Sequence, residues 1–81
     1  MTLDKHQELR DRTQNFALRI IKMSRVMPNS REANVISNQI LRSATGMAAN
    51  YRAVGRARSR AEFVAKMGVV LEEADETLFW L

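Results

Sequence analysis

Apolar residues recur along this chain at helical rather than alternating spacing, in three successive stretches. In the first, Leu9, Phe16, Ile20, Met23 and Met27 lie at i, i+7, i+11, i+14 and i+18. At ~100° per residue they form one stripe, which predicts a helix over about residues 4–27. Pro28 disfavours helical geometry in the residue before it and sets the end. Pro28-Asn29-Ser30 reads as a turn, and Asn29 with Glu32 has capping-box spacing. A second helix, about residues 30–55, then buries Ile36, Ile40, Ala44, Met47 and Tyr51. Gly46 weakens it by ~1 kcal/mol relative to alanine, and a residue that small points to close approach of another helix. Gly55 marks its stop. Ser59-Arg60-Ala61-Glu62 is a second capping box, opening a helix over about residues 60–81. Its apolar stripe is Phe63, Met67, Val70, Leu71, Ala74, Leu78 and Leu81, with Val69 and Trp80 on the opposite side among Glu72, Glu73 and Glu76.

Helices of about twenty residues with short connections imply antiparallel neighbours. The predicted fold is therefore all-α, an up-down helical bundle in a single domain spanning residues 1–81. The last helix runs apolar through Leu78-Phe79-Trp80-Leu81 without a glycine or a cap. That ending gives the expectation that a fourth, C-terminal helix is absent from these residues, or that a partner chain covers the groove. A domain of this size has a modest core and usually adds a disulfide, a metal or a partner subunit. Cysteine is absent and His6 is the sole histidine, so oligomerisation is the expected support. Trp80 and Glu76, on the charged side of the third helix, are the candidate oligomer contacts.

The beginning, MTLDKHQELRDR, has early acids and no apolar stretch, unlike a secretory signal. The apolar runs fall far short of the ~20 residues that span a bilayer. Together with the missing cysteines, this makes the chain a soluble cytoplasmic protein by expectation.

Charge changes the picture more through its distribution than its sum. The net charge is +4, yet residues 1–60 hold twelve basic residues against four acids, a balance of +8. Residues 61–81 set Lys66 against Glu62, Glu72, Glu73, Asp75 and Glu76, a balance of −4. No acid lies between Glu32 and Glu62, an interval that contains Arg42, Arg52, Arg56, Arg58 and Arg60. On one helix the first three fall within an arc of about 80°, away from the Ile36, Ile40, Met47 and Tyr51 face. Guanidinium groups suit bidentate phosphate contacts, so these five arginines are the candidate nucleic-acid-binding residues. Binding of that kind reads the phosphate backbone and weakens with salt. The alternative is that the same arginines pair with the acids of the third helix or of a neighbouring chain. Arg42 fits the surface least well, because Ser43, Ala44 and Gly46 beside it suggest close packing. Gln39 and Asn50 read as buried hydrogen-bonding residues, and Tyr51 as core.

Chemistry of other kinds finds little footing. A di-iron bundle needs Glu-x-x-His pairs, and no histidine accompanies the carboxylates of the third helix. No phosphate-binding glycine loop, Ser/His/Asp set or dinucleotide fingerprint occurs. The expectation is a non-enzymatic protein with no cofactor and no metal. His6 reads as a solvated residue near a chain end.

The stretch from Ile36 to Leu81 also carries a family likeness. Gln39 and Arg42-Ser43 precede a run of small residues and then Ala49-Asn50-Tyr51. A basic connection leads to Ser59-x-x-Glu62-Phe63 and a helix closing on Glu73-x-x-Glu76-Thr77-Leu78-x-x-Trp80-Leu81. This resembles the four-helix bundle proteins related to those encoded in 23S rRNA intervening sequences. It is similar too to the accessory variability proteins of diversity-generating retroelements. The resemblance implies a four-helix protomer in a ring-like homopentamer, with RNA or DNA as partner and a reverse transcriptase or another protein as a second. Many members carry a glutamate followed by glycine where this chain has Ala53 and Val54, so no role for that glutamate transfers.

Overall fold

The computed structural model describes residues 3–81, with side chains from Lys5 onward. Residues 1 and 2, which open the segment assessed for a targeting signal, lie outside the described residues. Three helices follow in order: α1 (Leu3–Arg25), α2 (Arg31–Val54) and α3 (Arg60–Trp80). The described residues contain no strand, so the chain is all-α as its periodicity predicts.

Local chemistry sets each helix end. The Val26 N–H donates to the Met23 carbonyl at 3.1 Å, tightening the last turn of α1 ahead of Pro28. The cap of α2 differs from the sequence expectation. Ser30, not Asn29, is the N-cap: its backbone is extended and its hydroxyl accepts from the Ala33 N–H at 3.1 Å. Only the residue bordering the first helical turn has its side chain within reach of that N–H. Asn29 instead accepts from the Asn34 side-chain amide at 3.2 Å. Ser59 caps α3 as its spacing predicts, accepting from the Glu62 N–H at 3.0 Å.

Gly55 follows α2 with φ −63°, an ordinary right-handed value. The helix unwinds through N–H groups of Arg56 and Ala57 that donate to Ala53 and Val54 at 3.0 and 3.1 Å. The space above it is taken by the His6 imidazole. A Cβ there would lie 2.5 Å from the His6 Nε2.

α2 is the central element. It packs against both neighbours, while α1 and α3 do not approach each other closely among the described residues. The molecule is a slab of about 45 × 21 × 15 Å. In one cluster Ile20 of α1 meets Ile40 and Ala44 of α2, with Phe16, Met23, Ile36, Leu41 and Trp80 around them. In the other, Tyr51 and Val54 of α2 meet Val70 of α3, with Leu9, Met47 and Met67 alongside. Both clusters fix antiparallel registers. Each large apolar side chain fully buried in them contributes ~1.5–3 kcal/mol.

α3 departs from its predicted orientation. Val70 is buried and Met67 and Ala74 are half-buried, but Leu71, Leu78 and Leu81 are exposed, Leu78 by 71%. The α2-facing side is centred instead on Glu73, Thr77, Val70 and Trp80, a rotation of roughly 85° from the apolar stripe. Trp80 therefore packs on the core cluster rather than among the surface acids. The reason is that α2 presents polar residues along this contact, and polar residues of α3 meet them. The displaced apolar side of α3 leaves a groove lined by Phe16, Met47, Ala74, Leu78 and Leu81.

Candidate nucleic-acid interface

The structure separates the five candidate arginines into two environments. Arg42 lies on the α3 side of α2, where its guanidinium pairs with Glu76 and donates to the Gln39 side-chain oxygen at 3.1 Å. It belongs to a polar seam that runs along the two helices. At the next residue of each helix, the Thr77 hydroxyl donates to the Ser43 hydroxyl at 2.9 Å, and Ser43 is fully buried. Ser43 in turn donates to the Ile40 carbonyl at 3.2 Å, so the pair is satisfied without water. Farther along, the Glu73 carboxylate accepts from the Asn50 amide and lies over Gly46, in the space a Cβ would need. Gly46 thus makes room for a side chain of α3, the Glu73 carboxylate, rather than for its backbone, and Asn50 is the hydrogen-bonding residue. Glu76, a candidate oligomer contact, is engaged by Arg42 within the chain. The Trp80 indole N–H is buried and has no acceptor among the described residues.

Arg52 and Arg56 stand at the other end of α2, on its α1 side. The antiparallel register brings Leu9 of α1 onto the Tyr51–Val54 cluster, and Arg10 follows beside Arg52. Two adjoining recesses result. One is lined by Arg10, Gln14, Ala48, Ala49 and Arg52; the other by His6, Arg10, Arg52, Gly55 and Arg56. Neither contains a carboxylate, and none of the three arginines joins an ion pair among the described residues. Arg58 extends the basic surface over the connection, with its side chain 90% exposed and only a long 3.9 Å approach to Glu62. Arg60 opens α3 and is exposed.

His6 corrects the expectation of a solvated end residue. It is half-buried, with its ring 5.2 Å from that of Tyr51 and its Nε2 against Gly55. Tyr51 itself is buried, as its place on the apolar stripe predicts, and that burial raises its phenol above the ordinary value of 10.0. Arg10 and His6 are the members that reading one helix at a time misses. The signal that finds them is the α1–α2 register, once Leu9 is taken as a core partner of Tyr51. Among the described residues no three His, Asp or Glu side chains gather closely enough to hold a metal ion. No described helix is long and apolar enough to cross a membrane.

The family model of the 23S rRNA-intervening sequence protein matches residues 5–81. The chain belongs to this family. A crystal structure of a protein with unknown function from the S23 ribosomal protein family, from Bacteroides thetaiotaomicron VPI-5482, shares 39% identity with it. The two superpose with a TM-score of 0.84 over 94% of this chain and 68% of that one. No curated protein matches the chain. In this family member much of the motif that carries the likeness is the α2–α3 seam: Gln39, Arg42, Ser43, Asn50, Glu73, Glu76 and Thr77 hold two helices together. The unpaired arginines at the α1–α2 end are a separate feature.

Proposed function

We propose that this family member is a non-enzymatic, oligomeric helical bundle that binds RNA or DNA through its phosphate backbone. The surface is Arg52, Arg56, Arg58 and Arg60, joined by Arg10 of α1. One observation carries the reading: Arg10, Arg52 and Arg56 gather at one end of the slab with no carboxylate among the described residues that line the recesses between them. Unpaired guanidinium groups so placed raise the local potential for phosphate. The family description, which refers to a 23S rRNA intervening sequence, is in keeping with a nucleic-acid setting. Arg42 is left out of the surface because Glu76 and Gln39 occupy it. Oligomerisation rests on the exposed apolar side of α3, where Leu71, Leu78, Phe79 and Leu81 await cover. The pentamer comes from the family resemblance.

Fluorescence anisotropy with labelled RNA and DNA across a salt series tests the reading. Affinity is expected to fall by at least tenfold between 50 and 200 mM salt, on the order of what several phosphate contacts give. An Arg56→Glu/Arg58→Glu variant should bind at least tenfold more weakly with unchanged helicity, and Arg42→Gln should bind as the parent does. Absence of binding at low salt, or equal binding by the charge-reversal variant, removes this function. Assembly without nucleic-acid affinity would then be the better account of the charged faces.

A further inference from the structure

We propose that the recess between the start of α1 and the end of α2 is a site for a terminal phosphate group, a phosphomonoester at the end of a nucleic-acid strand. The proposal rests on the phosphate-binding reading above and narrows it from a surface to a place.

The recess has the make-up such a group needs. Three guanidinium side chains, from Arg10, Arg52 and Arg56, line it together with the His6 imidazole. A phosphomonoester carries nearly two negative charges at neutral pH and three strong acceptor oxygens, where an internal phosphodiester carries one charge. Three forked cations, with no carboxylate among the described lining residues, match the higher charge. The walls are small where the group would approach: Ala48 and Ala49 in the adjoining recess, Gly55 in this one. The imidazole lies over Gly55, in space a side chain there would take, and its ring is 5.2 Å from that of Tyr51. An imidazole keeps at least one N–H to donate whatever its charge.

The recess is a concavity of about 290 Å³ between two packed helices, at the lower edge of the ~300–1,000 Å³ usual for small-molecule sites. It has room for about one nucleotide-sized group. The helices that present Arg10, Arg52 and Arg56 are held together by the Leu9–Tyr51–Val54 packing beneath them.

The test compares one short single-stranded RNA, internally labelled, in 5′-phosphorylated, 3′-phosphorylated and hydroxyl-ended forms, against the whole chain at fixed salt. One phosphorylated form is expected to bind about tenfold more tightly than the hydroxyl-ended RNA, the scale of one or two extra charge-assisted hydrogen bonds. The 5′ and 3′ arms identify which end enters. Adenosine monophosphate should erase that preference by competition, and inorganic phosphate should do so less well if the nucleoside also contributes. Arg10→Gln, and independently Arg52→Gln, should reduce the preference to about unity, while Arg31→Gln at the far end of α2 should leave it intact. Equal affinity for all three RNAs, with salt-dependent binding retained, overturns the terminal-phosphate site and leaves the basic surface standing. A preference that survives in both Arg10→Gln and Arg52→Gln overturns the assignment to this recess. No binding of any RNA at low salt overturns both readings.

Discussion

Gly46 and Gly68 both interrupt helices, in opposite surroundings. At Gly68 an added Cβ meets nothing within 4 Å, so Gly68→Ala should stabilise the protein by about 1 kcal/mol through helix propensity alone. At Gly46 the same methyl group would displace the Glu73 carboxylate from its place beside Asn50. Losing a hydrogen bond to a charged group outweighs the propensity gain, so Gly46→Ala should destabilise by about 1 kcal/mol. Urea midpoints with unchanged slopes check both, and a stabilised Gly46→Ala variant would show that the carboxylate relocates freely. Tyr51 gives a pH signature. Burial raises its phenol above 10.0 in the folded state, so the unfolded chain loses this proton first as pH rises. Its contribution is complete below about pH 10 and is lost as pH climbs through the folded value. The urea midpoint should therefore fall above about pH 10, and Tyr51→Phe should show a shallower fall. Equal slopes in both proteins would assign the alkaline loss to other groups.

At the scale of elements, helix existence and type were legible because they rest on interactions within a few residues. Pro28, Ser59 and the spacing of Ile36, Ile40, Ala44, Met47 and Tyr51 act through neighbours in sequence. The cap of α2 was one position off because Asn29 and Ser30 are both good capping residues, and only the backbone path decides which hydroxyl or amide reaches the Ala33 N–H. Ser30→Ala should cost about 1 kcal/mol, and Asn29→Ala less than half of that. Thermal unfolding of the two variants ranks them, and a reversed order would return the cap to Asn29. α3 escaped its apolar stripe for a different reason. Its hydrophobic residues are spread around the helix, so periodicity defines a face only weakly, and the facing polar residues of α2 choose the contact.

For the whole molecule, the arrangement around α2 decides which charges meet. Arg42 is drawn to Glu76 by the α2–α3 register, while Arg10 and His6 reach Arg52 and Arg56 by the α1–α2 register. A single helical projection places Arg42 with Arg52 and Arg56 and cannot include Arg10 at all. The sequence by itself determined three helices, their approximate ends, the close contact at Gly46, the core place of Tyr51 and the family likeness. Each is a consequence of short-range geometry, or of residue size and polarity read at fixed spacing. Only the tertiary structure decided the rotation of α3, the partial burial of Trp80 against the core, the pairing of Arg42 and the membership of the basic recess. Those outcomes depend on which residues of one helix face which residues of another. That facing is set by packing Leu9 and Ile20 on α2 from one side, and by matching Ser43 to Thr77 and Asn50 to Glu73 on the other.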